Sequence, residues 1–189
     1  MKLLGPTRNN RLNEAIGGVF VLAAFAIALS LVSYHPGDPS WNTATDRDIR
    51  PQNLIGKPGA IFADWFLQVF GLASFTVPAL LILMAWKWVR SQPIEAAPAK
   101  VLGGLMLLGA VSAGISLGPD WTPYGDVAAG GLVGKLTAAW LLAELNITGS
   151  LLAIAGCLFV SLYLVSSFSI AHLPDWLLAP FRPFARLGG

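Results

Sequence analysis

Charge is scarce in this sequence. Of 189 residues only 12% are Asp, Glu, Lys or Arg, about half the share of a soluble domain. That deficit argues against a soluble globular enzyme, a disordered tail or a nucleic-acid binder with a basic face. The formal net charge is +2, so an electrostatic partner has to meet a local cluster. The single cysteine, Cys157, excludes an internal disulfide framework and a cysteine-based zinc site. There are only two histidines, His35 and His172, far apart in sequence. Apolar residues, by contrast, make up 55%. The chain reads as an integral membrane protein.

A spanning helix needs roughly 20 mostly apolar residues. Four uncharged runs meet that length: Ala15 to Tyr34, Trp65 to Trp86, Val101 to Gly118 and Ile147 to Ala171. Lys2, Arg8 and Arg11 before the first run imitate a secretory signal. The small-x-small site Ala24-Phe25-Ala26, however, lies inside the run, and the apolar stretch continues eight residues past it, which favours a retained helix. A fifth stretch, Val127 to Ala143, carries Lys135 near its centre. A central lysine costs about 2.5–3.5 kcal/mol on insertion scales. This stretch is expected to be interfacial or re-entrant, with Lys135 reaching the headgroups. The expected fold class is all-α, with four transmembrane helices and two amphipathic or re-entrant helices at the outer surface.

Segments 1–14, 87–100 and 172–189 hold eight of the twelve Lys and Arg residues, and the alternate segments 35–64 and 119–146 hold four. The positive-inside rule then places both termini in the cytoplasm. The first outer loop, Ser33-Tyr34-His35-Pro36-Gly37-Asp38-Pro39-Ser40-Trp41, is turn chemistry flanked by amphipathic rings. His35 reads as a solvated loop residue, since no second histidine lies nearby. The inner connector contains Pro93 and Pro98, and is too short to be a domain. In the tail, Trp176, Leu177, Phe181 and Phe184 alternate with Arg182 and Arg186 in the manner of a surface anchor.

Catalytic chemistry has little to stand on. The four runs contain no ionisable Asp, Glu, Lys, Arg or His, and their serines read as helix-packing groups. No catalytic, cofactor-binding or metal-binding residue is assigned. Gly130-Gly131-Leu132-Val133-Gly134-Lys135-Leu136-Thr137 imitates a phosphate loop, but position 129 is Ala and Leu136 replaces the required Ser or Thr. Gly130-x-x-x-Gly134 reads instead as a close-packing face, as does Ala110-x-x-x-Gly114-x-x-x-Gly118.

The sequence also hints at a duplication. A shift of 75 places Gly59, Ala63, Trp65 and Leu67 on Gly134, Ala138, Trp140 and Leu142. A shift of 86 places Gly17, Gly18, Leu22, Ala24 and Ser30 on Gly103, Gly104, Leu108, Ala110 and Ser116. Each copy is expected to be a span, an outer loop, an outer-surface helix, a break and a return span. The breaks are expected at Gly71 to Ser74 and at Asn146 to Gly149, and both copies share one orientation.

Over roughly residues 15–170 the chain resembles the N-terminal four-transmembrane domain of the bacterial FtsK DNA translocases. The resemblance is carried by Tyr34, Pro36, Asp38, Pro39, Ser40 and Trp41 of the first loop. It continues through Asn53, Gly56, Gly59, Ala60 and Asp64, then Gly71 and Pro78, and finally Gly130, Gly131 and Gly134. In that family the domain tethers an ATPase motor that pumps chromosomal DNA at the division septum. No Walker A, Walker B or winged-helix sequence is present here, so the resemblance is to the anchor half, as a truncated product or a piece of a longer protein. It implies an inner-membrane anchor and interaction module at the septum. Its partners would be the lipid bilayer, division-machinery membrane proteins and other copies of itself, with no direct nucleic-acid or nucleotide binding and no cofactor. The expected organisation is a cytoplasmic 1–14, a membrane domain 15–171 and a cytoplasmic tail 172–189. A small transporter or channel subunit is the alternative.

Overall fold

The computed structural model describes residues 5–41, 50–125 and 127–166. The aromatic and basic tail lies outside the described residues, as does the end of the fourth apolar run. Five α-helices carry the fold: α1 Asn10–Val32, α2 Lys57–Phe70, α3 Thr76–Val89, α4 Ala97–Ser116 and α5 Gly131–Val165. A 3-10 segment, Gly71–Phe75, joins α2 to α3. Four stretches are long and apolar enough to cross a membrane: Asn10–Val32, Lys57–Val89, Ala97–Ser116 and Gly131–Val165. The chain is therefore all-α with four such helices. α2 and the first part of α5 do not stand apart as separate amphipathic helices; each runs into the helix that follows it.

Local chemistry sets the ends of these elements. The Asn9 side chain caps α1 by accepting from the backbone N–H groups of Arg11 and Leu12. At the other end the Ser33 hydroxyl donates to the Leu29 carbonyl at 2.6 Å, and Pro36 lies three residues on. Pro58 and Pro98 sit in the first turns of α2 and α4, where a missing N–H costs nothing. Pro78 occupies the first turn of α3 in the same way.

The interior is built from small side chains. Ala24, Ala60, Ala63, Ala73, Ala85, Ala110, Ala113 and Ala138 are buried together with Ser30, Ser74, Ser112, Ser150 and Ser161. Large apolar residues face outward, with Leu22 71% and Leu152 76% exposed. This reverses the soluble pattern. It suits helices that pack backbone to backbone while lipid solvates the long side chains.

α1 lies mainly along α3, α4 lies along α5, and α3 and α4 meet only lightly. The two pairs show the expected repeat in their backbones. Gly56 and Gly71 have φ of 74° and 60°, and Gly131 and Asn146, each 75 residues further on, have 64° and 54°. Both helix breaks thus fall where the duplication places them. Close approaches match as well. A methyl at Gly17 would meet Val89 Cγ2 at 2.5 Å, and one at Gly103 would meet Leu164 Cβ at 2.6 Å. Shifts of 86 and 75 relate those partners.

Candidate functional site

The residues singled out in the sequence gather at two places. The first is a clamp between the loop after α1 and the start of α2. The turn is closed by the Asp38 N–H donating to the His35 carbonyl at 3.1 Å. Buried Asp38 accepts the backbone N–H of Gln52 at 2.7 Å and that of Asn53 at 2.9 Å, one on each carboxylate oxygen. The Asn53 amide in turn donates to the carbonyls of Ser30 at 2.8 Å and Ser33 at 3.3 Å. Leu54 N–H donates to the Ser33 hydroxyl at 3.0 Å.

α2 docks against this clamp. The Ser30 hydroxyl donates to the Gly59 carbonyl at 2.6 Å. Gly59 is required there because a Cβ would run into the Asn53 side chain and Ile55. One turn later the buried Asp64 carboxylate accepts from the Tyr34 phenol at 3.0 Å and from the Gln68 amide at 2.7 Å. Burying a carboxylate demands such donors. Tyr34 also meets Tyr124 edge-on, centroids 5.8 Å apart, which ties the first outer loop to the second. Leu31, Ala63, Leu67 and Val127 close the apolar side of this cluster.

The second place is a crossing of backbones. Leu72 N–H donates to the Ala129 carbonyl at 2.7 Å. The Ser112 hydroxyl lies between the Gly130 carbonyl and the Phe70 carbonyl. A Cβ on Gly71 would overlap the Ala129 carbonyl, and one on Gly131 would overlap Gly71 N. One on Gly134 would overlap the Ser112 carbonyl. The glycines are therefore what allow three segments to touch.

The structure brings Tyr34, Asp38, Gly59, Ala60 and Asp64 into the clamp, and Gly71, Gly130, Gly131 and Gly134 into the crossing. Gly56 opens α2 at φ 74°. Pro39 and Pro78 are buried and Ser40 half-buried. Pro36 is exposed and Trp41 is 84% exposed, so both project from the clamp rather than forming it.

Sequence reasoning gave no site role to Ser30, Asn53, Gln68 or Ser112, which make the connecting bonds. Gln68 had a signal, its four-residue spacing from Asp64. Asn13 was missed too. It is fully buried, binds Thr7 through both side-chain ends and donates to the Ser91 hydroxyl at 3.0 Å. Among the described residues no group of three His, Cys, Asp or Glu could hold a metal ion.

The chain matches the family model described as the 4TM region of DNA translocase FtsK/SpoIIIE over residues 9–178. It is 28% identical over 172 residues to the DNA translocase FtsK of Vibrio vulnificus, covering 88% of this chain and 17% of that protein. The FtsK of Rhizobium meliloti is 34% identical over 154 residues, 78% of this chain and 17% of that protein. A 69-residue stretch is 45% identical to the FtsK of Brucella melitensis, covering 36% of this chain and 8% of that protein. The chain thus spans about a sixth of the length of the first two relatives. No solved structure matches.

Proposed function

This chain belongs to the 4TM family of the FtsK/SpoIIIE DNA translocases, and we propose that it is a membrane anchor and interaction module of the division septum. In this reading it tethers a DNA translocase where the septum and the segregating chromosome meet. ATP-driven work belongs to the motor of full-length family members, a region outside the match. The observation that carries the reading is the clamp. Several buried hydrogen bonds are spent on fixing one loop, and the fixed loop holds Trp41 out in the open. A rigid loop with an exposed aromatic residue is the build of a docking surface.

The topology proposed with it puts both termini in the cytoplasm, with spans at about 15–34, 65–86, 101–118 and 147–171. The start of α2, up to about residue 64, and the first part of α5, up to the break at Asn146, then lie at the outer surface. Division-machinery membrane proteins and further copies of the chain are the proposed partners.

A fluorescent fusion of this chain, expressed in cells depleted of the full-length translocase, tests the role. The expected result is fluorescence gathered at mid-cell, lost when Trp41 and Pro36 are both replaced by Ala. Uniform membrane fluorescence of the parent fusion would reduce the proposal to anchoring alone.

A further inference from the structure

We infer that the groove between α3 and α4 is a binding site for one anionic phospholipid. This inference does not depend on the septal role. Because the two helices meet only lightly, a groove of about 300 Å³ stays open between them, walled by Leu80, Met84, Val101, Leu105 and Leu108. At one end it reaches Lys87 and Lys100. The same two lysines line a second cavity of about 490 Å³, whose wall is mixed and sets Gln92, Glu95, Tyr163 and Ser166 among apolar residues. An apolar groove and a cavity with polar groups in its wall therefore share a basic threshold.

The dimensions match a lipid. Along α3 the apolar groove extends from Lys87 back to Thr76, eleven residues or about 16 Å of helix rise. That is close to half of the ~30 Å hydrocarbon thickness, the depth of one leaflet. The charges match as well. Lys100 Nζ is held at the threshold by the carbonyls of Val165 at 3.2 Å and Ser166 at 2.7 Å. Lys87 lines both cavities beside Lys100, and Glu95 lines the second with them. A phosphodiester seated between the two lysines complements their charge, and its headgroup falls in the second cavity. Arg90, at the same end of the bundle, lines neither cavity and stacks instead at 4.2 Å on the exposed ring of Trp86. An acyl chain alone would give no reason for the lysines, and a free anion would give none for the apolar chamber.

The test is native mass spectrometry of the full chain in detergent, titrated with phosphatidylglycerol or with phosphatidylcholine. One retained phosphatidylglycerol is expected, preferred by roughly 30-fold, about fivefold for each lysine. Lys87→Gln with Lys100→Gln should bring the preference to about one. Gly104→Leu should abolish the adduct with either lipid, since a Cβ there already lies 3.3 Å from Leu80 Cδ1. Equal retention of the two lipids by the parent chain would overturn the inference. So would an undiminished preference in the lysine variant, or displacement of the lipid by inorganic phosphate, which would mark a free-anion site. A change of oligomeric mass in Gly104→Leu, with lipid retained, would assign the groove to a second copy of the chain.

Discussion

At the scale of single residues, the polar side chains act as fasteners, and each is placed where an apolar chain has backbone groups left over. Asp38 takes up two N–H groups of the segment before α2, and Asn53 returns donors to the carbonyls at the end of α1. Leaving buried donors unsatisfied costs about 1–3 kcal/mol. Asp38→Ala is therefore expected to lower stability by about 2–3 kcal/mol, read as a drop in melting temperature in detergent. An unchanged melting temperature would mean that water replaces the carboxylate without loss. The apolar runs of the sequence announced none of these bonds. Ser30 and Ser112 look alike in a hydropathy plot, and only the fold reveals that one holds Gly59 and the other Gly130. Asp38 and Asp64 were legible as family-motif residues, but apart from Gln68, four positions from Asp64, the partners of their side chains lie 14 to 30 positions away.

At the scale of elements, the helices are continuous in apolarity but not in backbone. Gly71, with φ 60° and ψ −142°, ends α2, and Asn146, with φ 54° and ψ 178°, breaks α5. The extended ψ puts both outside the left-handed helical region that Asn tolerates, so this backbone suits Gly and is strained at Asn146. The Ser150 hydroxyl donates back to the Asn146 carbonyl at 2.6 Å, one turn past the break. A periodic repeat was readable from paired identities, and the breaks lie where it put them. What sequence could not supply was the reason for the glycines. Gly17 and Gly103 are the equivalent sites at which α1 meets α3 and α4 meets α5. Gly17→Ala and Gly103→Ala are each expected to destabilise by about 1–3 kcal/mol through overpacking. Gly18→Ala, with nothing within 4 Å of its added methyl, should be neutral or gain up to about 1 kcal/mol of helix propensity. Thermal melts of the three variants check this, and a large drop at only one of Gly17 and Gly103 would break the equivalence of the two copies.

At the scale of the whole molecule, two helix pairs are fastened to each other near one end. Tyr34 meets Tyr124 there, and Leu72 bonds Ala129. Toward the other end α3 and α4 leave the groove between them. The proposed topology makes the fastened end periplasmic. Single cysteines introduced at positions 45 and 122 of a chain lacking Cys157 should react with an impermeant thiol reagent in intact cells. Those at 95 and 185 should react only after lysis. Labelling at 185 in intact cells would put an odd number of crossings between the termini.

The sequence alone determined the solvent of this protein, because transfer free energies sum along the chain and four uncharged runs are long enough to decide the matter without tertiary contacts. Its internal repeat also located the helix breaks at Gly71 and Asn146, although residue type alone did not, since Ser91 and Ala96 adopt positive φ as well. Only the tertiary structure decided which surfaces meet. Lipid is as apolar as leucine, so hydropathy cannot tell a lipid-facing Leu152 from a buried Leu67. That choice rests on where small residues let two backbones approach and where a lone hydroxyl finds a carbonyl. Both are properties of pairs of helices, which no single run of sequence contains.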